Sequence, residues 1–210
     1  MLALLSCSPY LWFNCLLGGL GLVVAGCNAP LPPAAYRAYL ADPAHGLTQT
    51  TEVSRTTITC AYRPTKLLVL QDLVGQLAAT AATRDSLARA YAGKIYCTLT
   101  FSRNGQELEN QFLSQPLLRQ RVVDYLQKEI AADAFLITAP GDSVPAAASF
   151  YVQQHGLSGH STVVLVFAAP QLSPTQGFQL ALRGQALGLS NQRFSFTSHD
   201  LAVLPPLRYE

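Results

Sequence analysis

The chain has 210 residues, with 14 Lys or Arg against 12 Asp or Glu, a formal charge of +2 and a charged fraction of 12%. An average soluble domain carries roughly 25% charged residues. So small a positive excess gives no broad electrostatic footprint for a nucleic-acid backbone, and no nucleic-acid partner is expected.

The length suits one domain with tethers at its ends. Half the residues are hydrophobic, and part of that total lies in residues 1–26, which contain no Lys, Arg, Asp, Glu or His. From Tyr10 an apolar run ends in small residues immediately before Cys27. Val24-Ala25-Gly26-Cys27 resembles the lipobox of a bacterial lipoprotein signal: an aliphatic residue, a small residue, Gly or Ala, then Cys. The resemblance implies cleavage after Gly26 and a diacylglyceryl group on the Cys27 thiol. A thiolate is a good nucleophile for such a transfer, and small neighbours let processing enzymes reach the backbone. Lipid adds about 0.8 kcal/mol for each buried methylene, and more than one acyl chain makes the anchor durable. The signal departs from the usual pattern in lacking Lys or Arg near its start and in carrying Cys7 and Cys15. A plain signal or a spanning anchor is the alternative, since residues 10–26 approach the roughly 20 needed to span. The division expected is a signal peptide over 1–26, lipidated Cys and tether over 27–35, and a single α+β domain over 36–210.

Residues 36–40 read as a helical turn. Alternation predicts a strand from Glu52 to Tyr62, with Ile58, Cys60 and Tyr62 on one face, stopped by Pro64. Asp72 is placed to cap a helix running to about Tyr91, interrupted at Gly75. Lys94 to Phe101 alternates cleanly, and Asn104-Gly105 tolerates the positive φ of a tight hairpin, so a return strand is expected over Gln106 to Leu113. Pro116 opens a second long helix with Leu118, Val122, Tyr125, Leu126 and Ile130 on its apolar face. Strands follow at Phe135–Ala139, Ser149–Gln153, Ser161–Phe167, Gln176–Leu182 and Arg193–Thr197. The expected fold is α+β, mainly antiparallel sheet with two principal helices; the alternative is a β-sandwich with added helices.

Cys60 and Cys97 face the same way as their apolar strand neighbours, so they read as a disulfide, in an oxidising compartment, or as two core thiols; redox or metal chemistry is the third reading, with no closely spaced dithiol pair to support it. His155 and His160 bracket a polar loop. Two imidazoles at that spacing suit a metal only with a third ligand, and no nearby Cys, Asp or Glu supplies one; they read first as solvated loop residues and only weakly as ligand contacts. His199-Asp200 is equally open. Ser161 lacks the strand-to-helix setting of a hydrolase nucleophile elbow. Glu107 and Glu109 share a face of the expected return strand; paired acid/base chemistry is conceivable there, but a wet strand face explains them more simply. Arg119, Arg121, Lys128 and Glu129 form the solvated side of the second helix. No glycine-rich phosphate cradle or metal constellation is present in the pattern, so no catalytic residue, cofactor or metal is assigned.

The chain as a whole resembles small uncharacterised envelope lipoproteins of Bacteroidetes type. That resemblance rests on the signal, Gly46-Leu47, Tyr62-Arg63-Pro64 and Phe194-Ser195-Phe196 followed by Asp200 and Pro205. It implies a lipid-anchored protein of the bacterial cell envelope, with membrane lipid as a partner through Cys27. The expected role is binding or structural support, with an envelope protein or glycan as candidate partner. The alternative is a secreted or envelope hydrolase.

Overall fold

A computed structural model describes residues 29–74, 80–138, 141–154, 156–170, 172 and 176–209. Its elements in chain order begin with α1 (Pro33–Ala41), β1 (Thr48–Val53), β2 (Thr56–Tyr62), α2 (Thr65–Leu73), α3 (Ala81–Tyr91) and β3 (Lys94–Arg103). They continue with α4 (Pro116–Asp124), β4 (Ala134–Thr138), β5 (Ser143–Pro145), β6 (Ala148–Val152) and β7 (Ser161–Ala168). The chain closes with β8 (Phe178–Leu182), β9 (Gln192–Phe196) and α5 (Ser198–Ala202).

Two open sheets result, every strand pair antiparallel: one in the order β1-β2-β3-β7-β6, the other in the order β5-β4-β8-β9. The inward residues of β2, β3 and β7 form one continuous core with those of β4, β8 and β9. Tyr62 of the first sheet packs edge-on to Phe178 of the second at 5.8 Å between ring centroids, and Phe178 meets Phe196 at 4.9 Å. Each such ring removes enough apolar area from water to contribute about 1.5 to 3 kcal/mol. The chain changes sheets at two adjacent residues: the Ala146 N–H donates to Ala134 of β4 and the Ala147 N–H to Val166 of β7, at 2.9 and 2.8 Å.

The expectation of two principal helices is corrected to five α-helices among the described residues. The single helix expected from Asp72 is replaced by α2 and α3. Pro64, with φ −60 and ψ 146, sets the chain entering α2, whose Leu68, Val69, Leu70 and Leu73 are buried. Asp72 therefore lies near the end of a helix, and the cap of α3 is Thr80, whose Oγ1 accepts the Thr83 N–H at 3.1 Å. The apolar run before Asp72, Leu67 to Leu70, belongs to α2. Gly75 lies outside the described residues. The second expected helix is present as α4, prolonged by a π-helical turn over Tyr125–Glu129, and Tyr125, Leu126 and Ile130 are buried.

The expected strand from Glu52 is instead a hairpin. Ser54 and Arg55, at φ 51 and 60, make the two-residue turn between β1 and β2 without a glycine or asparagine. Nothing in their side chains signals positive φ; the turn is imposed by the ladder on both sides of it.

The return strand expected after Asn104-Gly105 does not form. The turn itself is present, at φ 54 and 72, and Arg103 and Gln106 exchange backbone hydrogen bonds of 3.0 and 3.1 Å. Beyond Gln106 the chain leaves the sheet for a 3-10 turn at Leu108–Phe112. The place beside β3 is taken by β7, with Phe101 opposite Ser161.

Candidate functional site

Because residues 106–113 do not join the sheet, they fold across its end and carry Glu107, Leu108 and Glu109 inward together. The two carboxylates are 1% and 4% exposed and Leu108 is 3% exposed. The expected wet strand face is thereby corrected. A period of two would send both glutamates outward only if the segment were a strand, and it is not.

Each carboxylate has a distinct set of donors. Both oxygens of Glu107 accept the Gly156 N–H, at 3.1 and 3.0 Å, and the Ser158 hydroxyl and Asn110 amide add bonds of 3.1 Å. Glu109 accepts the Tyr151 hydroxyl on one oxygen and the Ser161 hydroxyl, at 2.6 Å, on the other. Ser161 in turn accepts the Leu108 N–H at 2.8 Å, so one serine satisfies two groups of the same turn. Burial pushes the Tyr151 hydroxyl above its ordinary pKa, and the adjoining Glu109 carboxylate adds to that shift. Among the described residues no Lys, Arg or His forms an ion pair with either glutamate. Hydrogen bonds from neutral donors therefore replace the water each carboxylate has lost.

Above this layer lies a polar cleft of about 610 Å³, lined by Gln106, Asn110, Leu113, Arg119, Ser158 and Gly159. Leu113, Leu117 and Leu157, from the chain segments that flank it, are exposed to 68%, 88% and 91%.

Ser161 is 1% exposed and its hydroxyl is committed to Glu109, so no substrate carbonyl can reach it. His160 is half-buried, and the Ser158 hydroxyl donates to its carbonyl at 2.7 Å. His155, Cys27 and the whole of residues 1–26 lie outside the described residues. His199 and Asp200 open α5: the Thr197 Oγ1 accepts the Asp200 N–H at 3.1 Å and donates to its carboxylate at 2.6 Å, a helix cap. Among the described residues no group of three or more His, Cys, Asp and Glu is placed to hold a metal ion.

Cys60 and Cys97 are fully buried free thiols on neighbouring strands. Cys60 stands opposite Leu99 and Cys97 opposite Tyr62, so the two are diagonal on one face. Burial pushes the Cys60 thiol up, with the adjacent Cys97 adding to it. Such thiols are poor nucleophiles.

The sequence does not reveal the glutamate layer because its cause is distant: apart from the Asn110 amide, the side-chain and backbone donors to the two carboxylates come from residues 151 to 161. A local signal did exist, since Glu-Leu-Glu directly follows a turn and precedes Asn110, but nothing local requires burial.

No family model matches the chain, and no curated protein matches it. Among solved structures, a DUF4426 family protein from Pseudomonas aeruginosa PAO1 is similar at 12% identity and a TM-score of 0.34, over 71% of this chain and 91% of that one. A likeness at that level establishes neither a shared fold nor a shared function.

Proposed function

We propose that the chain is a lipid-anchored protein of the bacterial cell envelope whose α+β domain serves a binding or structural role at the membrane surface. The observation that carries this reading is the Val24-Ala25-Gly26-Cys27 pattern at the end of an uncharged apolar run. The cleft beside Gln106, Asn110 and Arg119, with exposed leucines around it, supports binding as the domain's role. Among the described residues no helix is long and apolar enough to cross a membrane.

Peptide mass spectrometry of protein expressed with its own amino terminus in a bacterial membrane system tests the anchor. The expected product is an acylated peptide beginning at Cys27, lost together with membrane fractionation in Cys27→Ser. An unmodified peptide that retains residues 1–26 overturns it. The hydrolase alternative would rest on Ser158, whose hydroxyl donates to Glu107 and which lines the cleft, since Ser161 is sealed from solvent.

A further inference from the structure

We infer that the domain stands end-on to the membrane, with the end of the larger sheet that carries the tether resting on lipid headgroups and the glutamate-braced cleft facing away. The inference rests on lipidation at Cys27. Only Asn28, Ala29 and Pro30 separate Cys27 from Leu31. Leu31 is fixed to the domain: its N–H donates to the Pro206 carbonyl and its carbonyl accepts the Arg208 N–H, both at 2.8 Å. Four residue steps of extended chain reach about 14 Å at most. The surface around Leu31 and Arg208 therefore cannot leave the headgroup region while Cys27 is lipidated.

The topology identifies which end of the sheet this is. α1 begins two residues after Leu31 and packs on β2. The Thr48 hydroxyl at the start of β1 donates to the Leu40 carbonyl of α1 at 2.7 Å. Thr48 pairs with Ala61 at the end of β2, and Tyr62 with Cys97 near the start of β3. Arg84 of α3 lies over the Tyr209 ring at 5.5 Å, and Tyr91 at the end of α3 meets Tyr96. The last turns of α1 and α3 thus lie where β3 begins, and the Leu31–Arg208 bridge is joined to them through the rest of α1 and through the Arg84–Tyr209 contact.

The cleft lies where β3 ends. β3 runs ten residues from Lys94 to Arg103, a span of about 30 Å at strand rise. Asn104-Gly105 follows its last residue, and the loop through Gly156, Leu157 and Ser158 leads into Ser161, which pairs with Phe101.

The cleft end holds the exposed leucines, available to a partner that approaches from the aqueous side.

The test uses the full chain with its own amino terminus, purified from membranes and placed in phosphatidylethanolamine–phosphatidylglycerol vesicles containing a headgroup-attached quencher lipid. Arg208→Cys and Leu157→Cys are each labelled with a fluorophore; the fully buried Cys60 and Cys97 are shielded from the label in the folded domain. The expected result is several-fold stronger quenching at position 208 than at 157. A flexible insert of about 30 residues between Pro30 and Leu31, whose mean reach is about 30 Å, should erase most of that difference. Equal quenching at both positions in a protein whose Cys27 is acylated overturns the end-on orientation alone, as would stronger quenching at 157. Absence of the acylated Cys27 peptide overturns the anchor, and the orientation with it.

Discussion

Glu107 clamps Gly156 with both carboxylate oxygens, at 3.1 and 3.0 Å, across 49 residues of chain. Gly156 lines the cleft, as do Asn110 and Ser158, which also donate to Glu107. A backbone amide held by a buried carboxylate gains a charge-assisted bond, but the carboxylate depends equally on its donors.

Glu107→Gln should retain the shape of the side chain and replace one acceptor oxygen with an NH2 that faces the Gly156 and Ser158 donors. The expected loss is about 1 to 3 kcal/mol of stability, read from urea unfolding. Faster hydrogen exchange at the Gly156 and Ser158 amides should accompany it. Unchanged exchange there would remove Glu107 from its bracing role.

Ser161 and Tyr151 reach the two oxygens of one carboxylate, so their contributions should not add. Ser161→Ala strands the buried Leu108 N–H as well as one lone pair of Glu109, and should cost about 1 to 3 kcal/mol. Tyr151→Phe removes one donor from a half-buried position and should cost less. A double-mutant cycle by denaturant unfolding should give a coupling above about 0.5 kcal/mol; strict additivity would show that the two hydroxyls act independently.

Cys60 and Cys97 should resist alkylation in the folded protein and react together once it is unfolded without reductant, because both are 0% exposed. Peptide mapping of the two alkylation states gives the answer directly. A linked Cys60–Cys97 peptide from the non-reduced protein would replace the thiol pair by a disulfide.

Tyr62 ties stability to alkaline pH. Burial, with Cys97 adjacent, pushes its hydroxyl from 10.0 up to about 12. The folded state thus keeps a proton that the unfolded chain releases. The stabilising contribution is complete below pH 10 and is lost as pH rises from 10 through 12, a loss of about 2 to 3 kcal/mol. Tyr62→Phe should remove that share of the alkaline loss of stability measured by circular dichroism, while the share of other raised tyrosines, Tyr36, Tyr91, Tyr125 and Tyr151 among them, remains.

The sequence by itself determined the features whose cause is local. Ile95, Cys97, Leu99 and Phe101 alternate, and they form the buried face of β3. Asn104-Gly105 tolerates positive φ, and the chain turns there. Pro116 begins α4, and Phe194 and Phe196 share the core. Each of these follows from side-chain periodicity or from the backbone preference of one or two residues. The proposed lipobox is a local pattern too, read from the four adjacent residues Val24-Ala25-Gly26-Cys27.

Only the tertiary structure decided which strand lies beside β3. Two candidate neighbours followed it in sequence, and the nearly continuously apolar Ser161–Ala168 segment, buried at Ser161, Val163, Leu165 and Phe167, took the place of the nearer, more polar Gln106–Leu113. That choice turned Glu107 and Glu109 from an exposed strand face into a buried layer. Their hydrogen bonds to Gly156, Tyr151 and Ser161 span 42 to 52 residues. The helix count was likewise settled by packing: Leu68, Val69, Leu70 and Leu73 are buried by the fold around them, while their short apolar run has no period that distinguishes helix from strand. Partner choice and desolvation depend on what the rest of the chain brings near, and no local pattern encodes them.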